Sequence, residues 1–128
     1  MAVDAIKRIS ESENNRAIFW GTGDETRDWI YIDDAVELLD VVYRLKRKFI
    51  VVNGGSGNSI SIKETLEYLR KCLHSNTEIT FNGESRPGDP IHYKADMSHL
   101  FSMSKWRPKI NIENGLSLYK NWYFENNK

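Results

Sequence analysis

Two arginines stand where this chain could meet an anion. Arg27 follows the glycine-laced run GTGDET and opens an apolar stretch, and Arg86 sits in the turn SRPGDP. A guanidinium donates two parallel N–H bonds to a phosphate, and each charge-assisted bond contributes about 1.5–3 kcal/mol. A solvated surface arginine is the ordinary alternative, and residue chemistry alone leaves both readings open. Around Arg27, the acids Asp24, Glu25, Asp28, Asp33 and Asp34 look sufficient for Ca²⁺. The spacing of a calcium loop and its closing glutamate are missing, so these acids divide instead into loop solvation and a helix cap. His74, His92 and His99 are scattered, with no His or Cys at ligand spacing, and no metal is expected.

The glycines of NGGSGNS invite a phosphate-cradle reading. No lysine follows them at P-loop spacing, and Ile60 stands where the third glycine of a dinucleotide fingerprint belongs. The segment therefore reads as a strand-to-helix turn. No serine or cysteine sits in a nucleophile elbow, so hydrolysis has no local support. The single cysteine, Cys72, has no intrachain partner and reads as a half-buried helix residue in a reducing compartment.

The elements that must position these residues follow from periodicity. Val3, Ile6 and Ile9 recur at helical spacing, and SESENN ends that helix. AIFW (17–20) reads as a strand, and RDWIYI (27–32) alternates as a second one. Asp34 and Glu37 stand three apart, as an N-cap and its reciprocal partner for the helix AVELLDVVYRL. That helix is apolar on more than one stripe and needs burial on two sides. FIVVN (49–53) is a continuous apolar run, the mark of an interior, parallel strand. Ser61 and Glu64 form a second capping box, for a helix with Ile62, Leu66, Leu69 and Leu73 on one face. EITF (78–81) is a short strand and SRPGDP (85–90) a rigid turn. A short extended piece and helix follow, and a last helix spans about 112–124. Strands alternate with helices, so the class is α/β.

With 128 residues the chain is one domain's worth, and its 18 basic and 18 acidic side chains balance. No basic face points to nucleic acid or to an anionic membrane. No apolar stretch approaches the roughly 18 residues of a membrane span. A cytoplasmic protein is expected.

The order of segments carries a resemblance. IFWGTGDETRDWIYIDDAVELL, VVNGGSGNSIS, SRPGDPIHYKADMSHL and KWRPKINIENGL run in sequence across nearly the whole chain. Together they resemble the C-terminal part of extended short-chain NAD-dependent epimerase/dehydratases, the superfamily of nucleotide-sugar epimerases, dehydratases and GDP-fucose synthase. Each motif is weak alone, and the ordered set is specific. The resemblance implies that Arg27 holds the phosphates of a nucleoside diphosphate sugar and that Trp29 lines the same pocket. It implies a second diphosphate arginine at Arg86, a ribose contact at Asp89, and a strand running past the base at Ile18 and Trp20. Asp34, Asn53, Gly55 and Gly57 match positions with cap and turn roles.

That superfamily binds NAD(P) through a glycine-rich turn and reacts through a Tyr-x-x-x-Lys pair. Here Tyr31, Tyr43, Tyr68, Tyr93, Tyr119 and Tyr123 are followed four residues on by Ala, Arg, Cys, Met, Tyr and Asn. The resemblance thus implies a small substrate-binding portion, residues 1–128, without the Rossmann core, binding no cofactor itself and inactive alone. The helix and strand within about 34–57 are expected to pack on the missing cofactor domain, or to self-associate without it. A non-catalytic assembly or regulatory module, stand-alone or from a split gene, is the alternative. WGTG and the aromatic-rich end NWYFENNK lean towards GDP-sugar reductases, and RDWIYIDD towards dTDP-sugar dehydratases.

Overall fold

The computed structural model describes residues 2–12, 14–84 and 87–127. Helix periodicity builds the larger of two cores. Helix α1 (Ala2–Ser10) buries Ala5, Ile6 and Ile9. Helix α3 (Ile62–Cys72) buries Thr65, Leu66 and Leu69, and α5 (Ile112–Asn126) buries Leu116 and Tyr123. These faces close over strands β1 (Arg16–Phe19) and β4 (Glu78–Phe81), which pair in parallel with Phe19 opposite Phe81. The second core gathers Leu38, Ala95, Met97, Leu100 and Trp106 between helices α2 (Ile32–Arg44) and α4 (Ser98–Met103). A small antiparallel ladder, β2 (Thr26–Arg27) with β3 (Ile60–Ser61), joins the two halves. The α/β class follows from these elements.

The capping box of α3 forms as its sequence predicts. Ser61 Oγ accepts from the Glu64 amide at 3.1 Å, and the Glu64 carboxylate accepts from the Ser61 amide at 3.2 Å. That reciprocal pair satisfies two of the donors that a helix start leaves open.

Four expectations are corrected. RDWIYI contributes only Arg27 to a strand, because α2 begins at Ile32 and β3 offers just two residues to pair with. Asp34 is not an N-cap. Tyr31 holds that position without a side-chain bond, and Asp34, 2% exposed, accepts from the amides of Lys109 and Ile110 at 3.0 and 2.9 Å. Glu37, its supposed reciprocal partner, pairs with Lys109 Nζ at 2.6 Å, which raises the ammonium pKa above its usual value. The acids near Arg27 are not all loop solvation either, since Glu25 and Asp28 each anchor backbone amides.

FIVVN, the expected interior strand, is no strand here. None of the described strands lies beside it, so its backbone has no ladder to join. Phe49 and Val51 are 84% and 72% exposed, and only Val52 reaches the second core. Of the turn SRPGDP, Ser85 and Arg86 lie outside the described residues, while Pro87 and Gly88 do form a turn, with Gly88 at φ +90°.

Candidate functional site

The loop from Gly21 to Glu25 is built from its own carboxylate. Glu25 reaches back to accept from the amides of Thr22 and Gly23 at 3.0 and 2.9 Å and from the Thr22 hydroxyl at 3.3 Å. The Thr22 amide is the largest influence holding the Glu25 carboxyl below its usual range. Gly21 donates to Glu84 O, and Asp24 to Thr22 Oγ1. Every amide from 21 to 24 is thereby committed, and a phosphate would find no free cradle. Gly23 fits only as glycine: its φ is +89°, and an added Cβ would lie 2.6 Å from the Phe81 ring.

The second glycine turn is committed in the same way. Asp28 Oδ1 accepts from Ser56 N at 2.7 Å and Ser56 Oγ at 2.6 Å, and Oδ2 from Gly57 N at 3.0 Å and Ala95 N at 3.1 Å. Three separate segments meet on one carboxylate. The start of α3 is closed too, because Ile62 N and Lys63 N donate to Glu25 O and Gly23 O. A phosphate beside these two turns and the start of α3 must therefore be held by side chains.

A cleft of about 340 Å³ offers those side chains. Trp20, at the end of β1, and Arg27, on β2, both line it. Asp89 joins them because the following segment runs beside β2: Thr26 N donates to Ile91 O, Tyr93 N donates to Thr26 O, and Thr26 bridges His92. One Arg27 N–H donates to Thr26 O at 2.8 Å, and among the described residues no carboxylate pairs with its guanidinium. Its remaining donors are available to a ligand.

Sequence reasoning missed Arg8. From α1 it lines the same cleft, fixed by bonds to Asp4 Oδ2 and Ile18 O, both 2.9 Å, and lying 5.9 Å over the Phe19 ring. Its spacing from Asp4 looks like an ordinary surface helix pair, and only the tertiary placement of β1 turns it inward. Ile18 contributes that carbonyl, while its side chain is half exposed in a neighbouring depression.

Trp29 does not share the cleft. It lines an apolar cavity of about 260 Å³ between α1, α3 and α5, together with Tyr31, Leu66, Leu69, Leu116 and Tyr119. Its indole Nε1 is buried without a partner among the described residues. The alternation that places Trp29 opposite Asp28 sends one to the cavity and the other to the glycine turn. No group of three or more metal-ligating side chains converges among the described residues. Arg86 lies outside them.

A family model described as NAD dependent epimerase/dehydratase family matches residues 1–55. GDP-L-fucose synthase 1 of Arabidopsis thaliana is 30% identical over 128 residues, aligned over 94% of this chain and 38% of that protein. The chain is a relative of the NAD-dependent epimerases/dehydratases. Solved structures of the family share the fold. UDP-glucuronic acid 4-epimerase from Bacillus cereus, in complex with a fluorinated UDP-glucuronic acid and NAD, is 26% identical with a TM-score of 0.79. The match covers 94% of this chain and 40% of that one. UDP-N-acetylglucosamine 4-epimerase from Methanobrevibacter ruminantium superposes with a TM-score of 0.82 at 24% identity, over 98% of this chain and 39% of that one. The chain thus spans about two fifths of the length of its relatives. No helix among the described residues is long and apolar enough to cross a membrane.

Proposed function

We propose that this chain is the nucleotide-sugar-binding part of an NAD(P)-dependent sugar epimerase, dehydratase or reductase. The observation that carries the reading is the convergence of Arg27, Arg8, Trp20 and Asp89 on one cleft beside a glycine loop whose own amides are already bonded. Arg27 and Arg8 face the diphosphate, Asp89 the ribose and Trp20 the base. Arg86, the second diphosphate arginine, completes the clamp. Trp29 supports the pocket from behind the Arg27 strand. NAD(P), held by a domain outside this chain, supplies the hydride chemistry. The role of these residues is to hold the nucleotide so that the sugar is presented in one orientation.

Arg27→Ala removes a charge-assisted fork and is expected to weaken nucleoside diphosphate binding about tenfold to a hundredfold. Calorimetric titration of both proteins measures it, and equal affinities would remove Arg27 from the clamp.

The cofactor domain docks on α2. Ile32, Val36, Leu39 and Tyr43 recur at helical spacing and are all exposed, Leu39 at 69% and Tyr43 at 83%, with Phe49 and Val51 following in the chain. Covering each such side chain stabilises by roughly 1.5–3 kcal/mol. Without that domain, two copies shield the stripe by self-association. Leu39→Lys is expected to convert an associated sedimentation profile into a monomeric one. A monomeric parent protein with little dye-accessible apolar surface contradicts this docking.

A further inference from the structure

We infer that the cleft selects a guanine nucleotide, and that Glu84 reads the base; this rests on the nucleotide-binding reading above. Among the described residues four carboxylates line the cleft: Asp4, Glu25, Glu84 and Asp89. Asp4 is engaged by Arg8 at 2.9 Å. Both oxygens of Glu25 accept from the loop it holds. Asp89 belongs to the ribose in the proposed pose. Glu84 and Asp89 both keep carboxylates with no hydrogen bond or ion pair among the described residues, and with Asp89 turned to the ribose it is Glu84 that remains for the base.

Its backbone, in contrast, is held on both sides. Glu84 O accepts from Gly21 N at 3.0 Å, and Glu84 N donates to Asn82 Oδ1 at 3.0 Å. The Gly21 bond extends the β1–β4 pairing and sets Glu84 beside the residue that follows Trp20. A base lying along the Trp20 wall therefore meets this carboxylate at its edge.

The bases differ sharply in what they offer a carboxylate. Guanine presents two adjacent donors, N1–H and the N2 amino group, which match the two oxygens as a bidentate pair. Uracil and thymine present one N–H flanked by two carbonyl oxygens, and those oxygens repel a carboxylate. Adenine and cytosine present an amino group beside a ring nitrogen acceptor. Glu84 thus favours guanine by attraction and disfavours the pyrimidine-dione bases by repulsion, both of which specificity requires.

The test titrates the chain with GDP, UDP and dTDP by calorimetry, and repeats it with Glu84→Gln. Glu84 is exposed and buries nothing, so the substitution leaves the core untouched. GDP is expected to bind at least about tenfold more tightly than UDP or dTDP. In Glu84→Gln, GDP binding is expected to fall about tenfold, with UDP unchanged or improved. Equal binding of the three nucleotides overturns guanine selection and leaves the diphosphate clamp standing. A GDP preference that survives Glu84→Gln overturns the role of Glu84. Absence of binding by all three overturns the clamp itself.

Discussion

Asp28→Ala is expected to lower the unfolding free energy by about 3–4 kcal/mol, a large share of a small domain's stability of roughly 5–15 kcal/mol. The Asp28 carboxylate accepts four hydrogen bonds from Ser56, Gly57 and Ala95. Its removal leaves three backbone amides without their acceptor, and each such group costs about 1–3 kcal/mol when water cannot replace the partner. Half-burial of the site lets water recover part of the loss, which keeps the estimate below the full sum. The surroundings cannot close over the gap by growing. An added Cβ at Gly55 would stand 2.7 Å from Ala95 and 2.8 Å from Asp28 Oδ2, so Gly55 is fixed by close approach. Asp28→Asn tests whether shape suffices: its amide nitrogen replaces one oxygen and turns a donor towards two of the four donors, so a large part of the loss should remain. Urea melts of the three proteins measure this, and an Asp28→Ala loss below about 1 kcal/mol would refute the anchoring role.

Asp34→Ala is expected to destabilise by about 2–3 kcal/mol through a different connection. Asp34 sits in the first turn of α2, where a carboxylate also gains from the positive end of the helix dipole. Its Oδ2 receives the amides of Lys109 and Ile110, pinning the segment after Trp106 to the helix start. Nearly complete burial leaves water no route to these amides in the variant. Amide exchange is the sharper readout: protection at Lys109 and Ile110 should fall well before global unfolding, while α3 keeps its own. Unchanged protection at both amides would show that the segment is held by Trp106 packing instead.

These two aspartates show where sequence reading reaches its limit. The helices were legible because α1, α3 and α5 bury residues at three- and four-residue spacing, and Ser61 and Glu64 announce a helix start with a local pair. β4 was legible as a bounded apolar run. Local spacing also suggests Asp34 as the N-cap of α2 with Glu37 as its reciprocal partner, yet the partners of Asp34 lie 75 and 76 positions away. Asp28 is bound 28, 29 and 67 positions along the chain, which no periodicity can reveal. FIVVN read as an interior strand because composition reports what a segment would bury, not whether a neighbouring strand is present. Arg8 was hidden for the same reason, since its bond to Ile18 O crosses from helix to strand. Arg27 and Asp89 came from the ordered motifs, and the parallel run of 91–93 beside β2 accounts for their meeting in one cleft.

In the proposed function the cleft of Arg27, rather than the apolar cavity of Trp29, receives a nucleoside diphosphate. Amide shift mapping of the ¹⁵N-labelled chain with added GDP tests it most directly. Saturable shifts are expected at Gly21, Arg27, Ile62, Asp89 and Ile91, with Leu69, Gly115 and Tyr119 unmoved. Shifts confined to residues around the Trp29 cavity, or none at millimolar GDP, would contradict it.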